Sequence, residues 1–308
     1  MIEIIKNPKL NFLAVRKIAY FISLLLVLNG LFAVFQVATG KAKMGLDFTG
    51  GISVTLKFAN DVSVNAIRSV LDKSDMKQAV IQQVGPLSDK TFIIRVGTQE
   101  LKNDNASGVL TELLKKETGD SGMIVLEQNE IGGVVSSQLK SKALQAVFWA
   151  LIGILVYIWI RFKFKFAVSA TLATLHDVLA VLGIMVLFGK EIDLLVITAL
   201  LTIGGYSLTD TVVVFDRIRE NMKHILKISY QELVNNSINE VLSRTIITSF
   251  TTLAVALSLL LFGGSILHTF SFALVVGICI GTYSSYFLAS PLIVDWENYE
   301  KKNKDTKQ

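Results

Sequence analysis

Six apolar runs of about twenty residues dominate the chain, near residues 18–37, 143–160, 166–188, 194–215, 246–262 and 269–294. Each is long enough to cross ~30 Å of hydrocarbon. Lipid offers no partner to a bare N–H or C=O, so a spanning run must bond its own backbone as a helix. Of the 308 residues 52% are hydrophobic and 18% charged, below the ~25% charge of ordinary soluble domains. Three prolines leave few helix breakers. These features predict an α-helical polytopic membrane protein with six transmembrane helices.

Charge sets the expected topology. Lys6, Lys9, Arg16 and Lys17 precede the first run, and Arg161, Lys163 and Lys165 follow the second. Arg217, Arg219, Lys223, Lys227 and Arg244 lie between the fourth and fifth, and four lysines follow the sixth. The short opposite loops hold only Lys190. The positive-inside rule then predicts cytoplasmic N- and C-termini. The first run reads as a retained anchor, because its core is too long for a cleaved leader and no A-x-A-like site follows. Basic residues hug the membrane ends instead of forming one patch, which argues against nucleic acid. Cys279 is the lone cysteine, so no intrachain disulfide can form, and it reads as a small packing residue.

The chain divides into an N-terminus and first helix (1–40), an extracytoplasmic domain (41–140), a five-helix bundle (141–296) and a tail (297–308). Residues 51–58 alternate like a strand. Residues 62–73 and 107–117 carry apolar side chains at helical spacing. Residues 79–84 and 91–96 read as strands around Gly85 and Pro86, and 123–128 as a last strand. The order β-α-β-β-α-β predicts a small α+β, ferredoxin-like domain. Gly45, Asp47, Gly50 and Gly51 mark a turn before the first strand, with Asp47 and Thr49 expected to cap it locally. Helix before and strand after is the wrong order for a nucleotide-binding loop. Residues 216–243 read as a cytoplasmic loop with one short amphipathic helix, lying on the membrane or against the bundle, and the charged tail reads as disordered.

Polar residues inside the runs are the candidates for function, since an ionised side chain at bilayer depth costs roughly 2.5–3.5 kcal/mol even on lenient scales. Ser207, Asp210 and Thr211 share a face of the fourth run, with Gly204 one turn earlier. Asp210 lies six residues, or ~9 Å, inside the boundary set by Asp216 and Arg217. The fifth run opens on Arg244 and continues with Thr248 and Ser249, and antiparallel packing would bring Arg244 to the depth of Asp210. Arg244 either snorkels to the headgroups or partners the acid. Asp210 is either a structural hydrogen-bond acceptor or one half of an ion relay. Asp177 is a second relay candidate or a helix–helix bond, and His176 reads as facing away from it. Gly277 and Gly281 form a close-packing motif in the sixth run.

The stretches GLDFTGG (45–51), LHDV (175–178), GGYSLTDTVVVFDRIREN (204–221) and SRTIITSFTTL (243–253) together resemble the SecD/SecF family of bacterial protein-export membrane proteins, in its SecF branch. The likeness covers nearly the whole chain, and the first extracytoplasmic region is too short for the SecD branch. It implies a multi-pass protein of the bacterial inner membrane, RND-related, that pairs with SecD. It implies further partners in the SecYEG translocon and the unfolded polypeptide in transit. No cofactor is implied, only protons or sodium as the coupling ion, with Asp210 as the ion-binding acid and Arg244 its partner. The implied role is non-enzymatic: use of the ion gradient to promote late translocation. The alternative is a non-conducting scaffold that links SecD to the translocon. A small-molecule exporter would want more spans and larger domains. An intramembrane aspartyl protease using Asp177 and Asp210 would want a Gly-Asp setting that is missing.

Overall fold

The computed structural model describes residues 9–306 except 75, 78, 86, 99–105 and 225–227. Lys6, Lys227, Lys307 and Pro86 therefore lie outside the described residues. Among those described, six helices are long and apolar enough to span a membrane. They comprise α1 (Arg16–Ala38) and, after an inserted domain, α5 (Gly133–Arg161), α6 (Phe164–Leu187), α7 (Leu194–His224) and α8 (Tyr230–Phe262). The sixth is built from α9 (Gly264–Ser284), a π-helical turn at Ser285–Ala289, and α10 (Ser290–Asp305).

Helices α6 and α7 form the centre, with half of their apolar windows buried, against 11% in α5 and 17% in α8. Glycine sets the closest crossings. A Cβ on Gly30 of α1 would stand 2.4 Å from the Leu179 carbonyl oxygen of α6, and one on Gly183 would meet Asn29 at 2.5 Å. Gly277 and Gly281 of α9 press on Ile203 and Ser207 of α7, where a Cβ would come within 2.3 and 3.0 Å. Gly204 does not belong to this class. A Cβ there would make only ordinary contacts at 3.7 Å, so its smallness does not admit a neighbouring helix. Cys279 is exposed on α9 and does not fill the core.

The inserted domain has the expected strand and helix order. It begins with a single helical turn, α2 (Leu46–Thr49), and continues through β1 (Gly51–Lys57), α3 (Val64–Lys73), β2 (Val80–Val84), β3 (Thr91–Gly97), α4 (Ala106–Thr118) and β4 (Ile124–Ile131). The antiparallel sheet runs β2-β3-β1-β4, with Val54 opposite both Ile94 and Gln128. Ile52, Val54, Leu56, Phe92, Ile94 and Val96 line one face of the sheet. They pack on Ile67, Val70 and Leu71 of α3 and on Leu110 and Leu114 of α4. Val109, grouped with these by spacing, is exposed. Asp120 is buried between α4 and β4 and accepts the amides of Asn60 at 2.9 Å and Gly122 at 3.0 Å. The Asn60 amide holds its carboxyl below the usual range, against the opposing effect of burial.

At the membrane face away from this domain, two expectations fail. The 216–243 loop is mostly the end of α7 and the start of α8, with Ser229 capping α8 by accepting the Glu232 amide. Polar bonds join the two helices: Arg217 bonds Glu240 of α8 at 2.5 Å, besides Glu220 of its own helix at 2.6 Å, and Asn221 bonds Ser237 of α8 at 3.0 Å. Leu233, Val234 and Ile238 are buried with Phe215 and Ile218, so the amphipathic stretch packs on the bundle as part of α8. The tail is likewise helical through Asp305. Asp295 bonds Tyr20 at 2.8 Å and Arg16 at 3.3 Å, Glu297 pairs with Lys165, and basic residues in the last turn suit the helix dipole.

Gly30→Ala should be a costly small substitution at a helix crossing, because backbone rather than a flexible side chain must yield at Leu179. We expect a loss of at least ~1–3 kcal/mol, the range for overpacking. Thermal unfolding in detergent would read it, with Gly204→Ala as the neutral control.

Candidate functional site

Four helices bring polar side chains to one buried locus. On α6, Asp177 is fully buried. One carboxylate oxygen lies 2.7 Å from Nδ1 of His176, and the other accepts the hydroxyls of Ser284 at 2.7 Å and of Ser207. One turn along α7 from Ser207, Asp210 is 6% exposed. It accepts a single long bond of 3.4 Å from Ser249 of α8, and Ser249 in turn accepts from Thr282 of α9 at 2.9 Å. Thr211 shares a 3.0 Å hydrogen bond with Ser285.

The π-helical turn explains how α9 contributes two adjacent serines. Pro291 has no N–H to give to the preceding turn, so the helix there must find another pattern. The ladder widens over Ser285–Ala289, and the Ser290 hydroxyl donates to the Ser285 carbonyl at 2.8 Å. Single π turns of this kind recur at functional positions. This one turns Ser284 toward Asp177 and Ser285 toward Thr211.

The two acids are unequally served. Asp177 has three partners, Asp210 one. Arg244 makes no ion pair with Asp210, and its side chain is exposed. Thr248 is exposed too and donates to its own helix at Thr245, 3.0 Å away, so Ser249 takes the place expected of Thr248. The hydroxyls of Tyr206 and Tyr286 are buried without a hydrogen-bond partner among the described residues. His176, read as facing away, instead bonds Asp177 and leaves its Nε2 buried and unpaired. Sequence reasoning missed Thr282, Ser284 and Ser285; the Ser-Ser doublet inside an apolar run was the available signal.

The signature turn sits apart from this locus, at the other end of α7. Gly50 and Gly51 adopt φ of 66° and 131°, and a Cβ on Gly51 would stand 2.1 Å from the Val96 carbonyl oxygen. Thr49 caps the turn locally, donating to the Gly45 carbonyl at 3.2 Å. Asp47 does not: it accepts the amide of Leu194, the first residue of α7, at 2.9 Å.

The family model for the protein export membrane protein SecD/SecF C-terminal region matches residues 111–299, and the SecD/SecF GG motif matches residues 39–62. The chain belongs to the SecD/SecF family. It is 46% identical to the protein translocase subunit SecF of Thermodesulfovibrio yellowstonii over 96% of this chain and 97% of that one. It is 38% identical to the subunit SecDF of Thermus thermophilus, over 98% of this chain but 40% of the longer protein. The crystal structure of that SecDF, described as a translocon-associated membrane protein, superposes with a TM-score of 0.82 over 95% of this chain and 39% of its own. A second SecDF structure, in a super-membrane-facing form, gives 0.67 over 99% and 41%. The chain thus spans about two fifths of the SecDF proteins and nearly all of the SecF relative. The GG-motif match covers the turn that holds Asp47, and the C-terminal match covers all the polar residues of the buried locus.

Removing one donor from a buried carboxylate exposes the cost of the bond. Ser284→Ala should destabilise the bundle by roughly 1–3 kcal/mol, measured by thermal unfolding. Thr248→Ala, at an exposed hydroxyl, should change it little.

Proposed function

We propose that the chain is the SecF-type subunit of the bacterial protein-export machinery, and that it works with a SecD partner to turn a proton gradient into late-stage movement of secreted polypeptides. In this reading it lies in the cytoplasmic membrane with both termini inside and the inserted domain outside, beside a SecYEG translocon. The fused SecDF relatives support the SecD pairing, because one chain there holds both parts. The thinly buried flanks of α5 and α8, with Trp149, Phe250 and Phe262 exposed, suit a large membrane partner or lipid.

One observation carries the ion-coupled part: Asp210 is buried at membrane depth with one long hydrogen bond and no counter-ion in contact. A neutral carboxyl is at ease there with Ser249. An ionised one would draw in Arg244, which lies five residues before Ser249 on α8 with its side chain exposed. The two protonation states therefore favour different placements of α7 against α8, which is what a gradient needs to bias a cycle. Asp177, already triply bonded, serves as the fixed polar anchor between α6, α7 and α9.

The energy available limits the role. One charge crossing 100 mV supplies ~2.3 kcal/mol, which shifts a two-state equilibrium about 50-fold. Inverting a 1:99 population needs ~5.5 kcal/mol, so the two states must be nearly balanced or several protons must act per cycle.

The test is gradient-stimulated export in inverted vesicles that hold the full complex, under separate proton and sodium gradients. Asp210→Asn should accumulate and pair normally yet lose the proton-gradient stimulation. Wild-type stimulation by that variant would leave only the scaffold role.

A further inference from the structure

The inserted domain is joined to the bundle by more than its two covalent ends. Residues 43–45 run beside the short loop between α6 and α7: Gly45 donates to the Ile192 carbonyl at 2.9 Å, and Ile192 donates to the Lys43 carbonyl at 2.8 Å. Met44 and Ile192 form a parallel bridge. The approach is so close that a Cβ on Gly45 would lie 2.7 Å from that of Asp193. A helix leaves its first amides without internal partners. Here two of them are taken: Asp193 accepts Val196 at 2.8 Å, and Asp47, from 147 residues away, accepts Leu194 at 2.9 Å. A second tie joins the sheet to the same loop, where Arg95 of β3 pairs with Glu191 at 2.8 Å, both side chains largely buried.

Each end of this linkage is stiff. Gly50 and Gly51 fold Asp47 tightly onto β1, with Thr98 donating its amide to the Gly50 carbonyl at 3.2 Å. On the other side, α7 is helical without interruption from Leu194 to His224. Asp210 lies 16 residues along it, or ~24 Å from the clamp. A cap of this kind does not need to cross between domains. The own N-cap, Asp193, is already in place, so Asp47 adds an attachment that helix formation alone does not demand.

We infer that Asp47 is a positioning residue of the export cycle: it fastens the inserted domain to the outer end of α7, so that the domain and the helix carrying Asp210 move as one. The inference rests on the ion-coupled reading of Asp210. It links the surface that meets the polypeptide to the buried acid through named hydrogen bonds, and it makes the 45–51 turn a mechanical joint.

The test uses the full complex in vesicles, reading export and gradient-driven proton entry side by side. Asp47→Ala removes the acceptor, and Asp47→Asn keeps an oxygen that can cap. The alanine variant should lower gradient-stimulated export by about tenfold, the factor that losing an ordinary cap can shift an equilibrium, while proton entry persists. The asparagine variant should retain most of the export. Wild-type export by Asp47→Ala, or loss of export and proton entry in step with the amount of protein, overturns the inference. If the alanine variant fails to accumulate, Met44→Cys with Ile192→Cys in a Cys279→Ala background locks the joint. Oxidation should then leave export unchanged, and a loss that reduction reverses would show that the joint opens and overturn the inference. Asp210→Asn runs alongside: if it exports like wild type, the ion-coupled reading fails, whereas if it is inactive and Asp47→Ala is not, only the joint fails.

Discussion

The buried carboxyl of Asp210 is held by one long bond, from Ser249, with no cation in contact among the described residues. Much of the structure exists to make that arrangement tolerable. A fixed charge at this depth would cost several kcal/mol, and a fully bonded one would have no reason to change state. Asp177 shows the contrast. It lies on the neighbouring helix, and three partners from α6, α7 and α9 meet it. One acid is held from three helices and the other by a single bond, and Ser207, a turn from Asp210, donates to the first.

Packing makes this contrast possible. Gly277 and Gly281 let α9 approach α7 closely, Ser284 reaches Asp177, and Pro291 follows the widened turn that holds Ser285. The Gly30–Gly183 crossing fixes α1 against α6 at the back of the same cluster. At the outer end, Asp47 and the Lys43–Gly45 segment tie the inserted domain to the start of α7. The inserted domain and the helix that bears Asp210 are therefore tied together at the start of that helix.

Much of this was legible from residue types and their periods. Apolar runs near 20 residues have one outcome in lipid, and alternation against helical spacing was enough to order the inserted domain. Spacing along the helix was legible as well: α7 runs unbroken from Asp210 through Asp216, so counting residues gives the separation. Rotation about a helix axis was not. Thr248 and Ser249 differ by one residue, and only packing against α7 and α9 decides that Ser249 faces the acid. The same uncertainty hid the turn of His176 toward Asp177. Partners far apart in sequence were invisible: nothing near Asp47 points to Leu194, and the far-side helices α7 and α8 run on because their charges find each other across a gap that local composition reads as loop.

Ion coupling through Asp210 turns on the protonation of one side chain, which infrared spectroscopy can follow. Infrared difference spectra of the lipid-embedded complex, wild type minus Asp210→Asn, isolate its carboxyl stretch. A protonated-carboxyl band should disappear and return as the pH on one side of the membrane is cycled. A carboxyl that stays ionised, or stays neutral, through the whole cycle would contradict it.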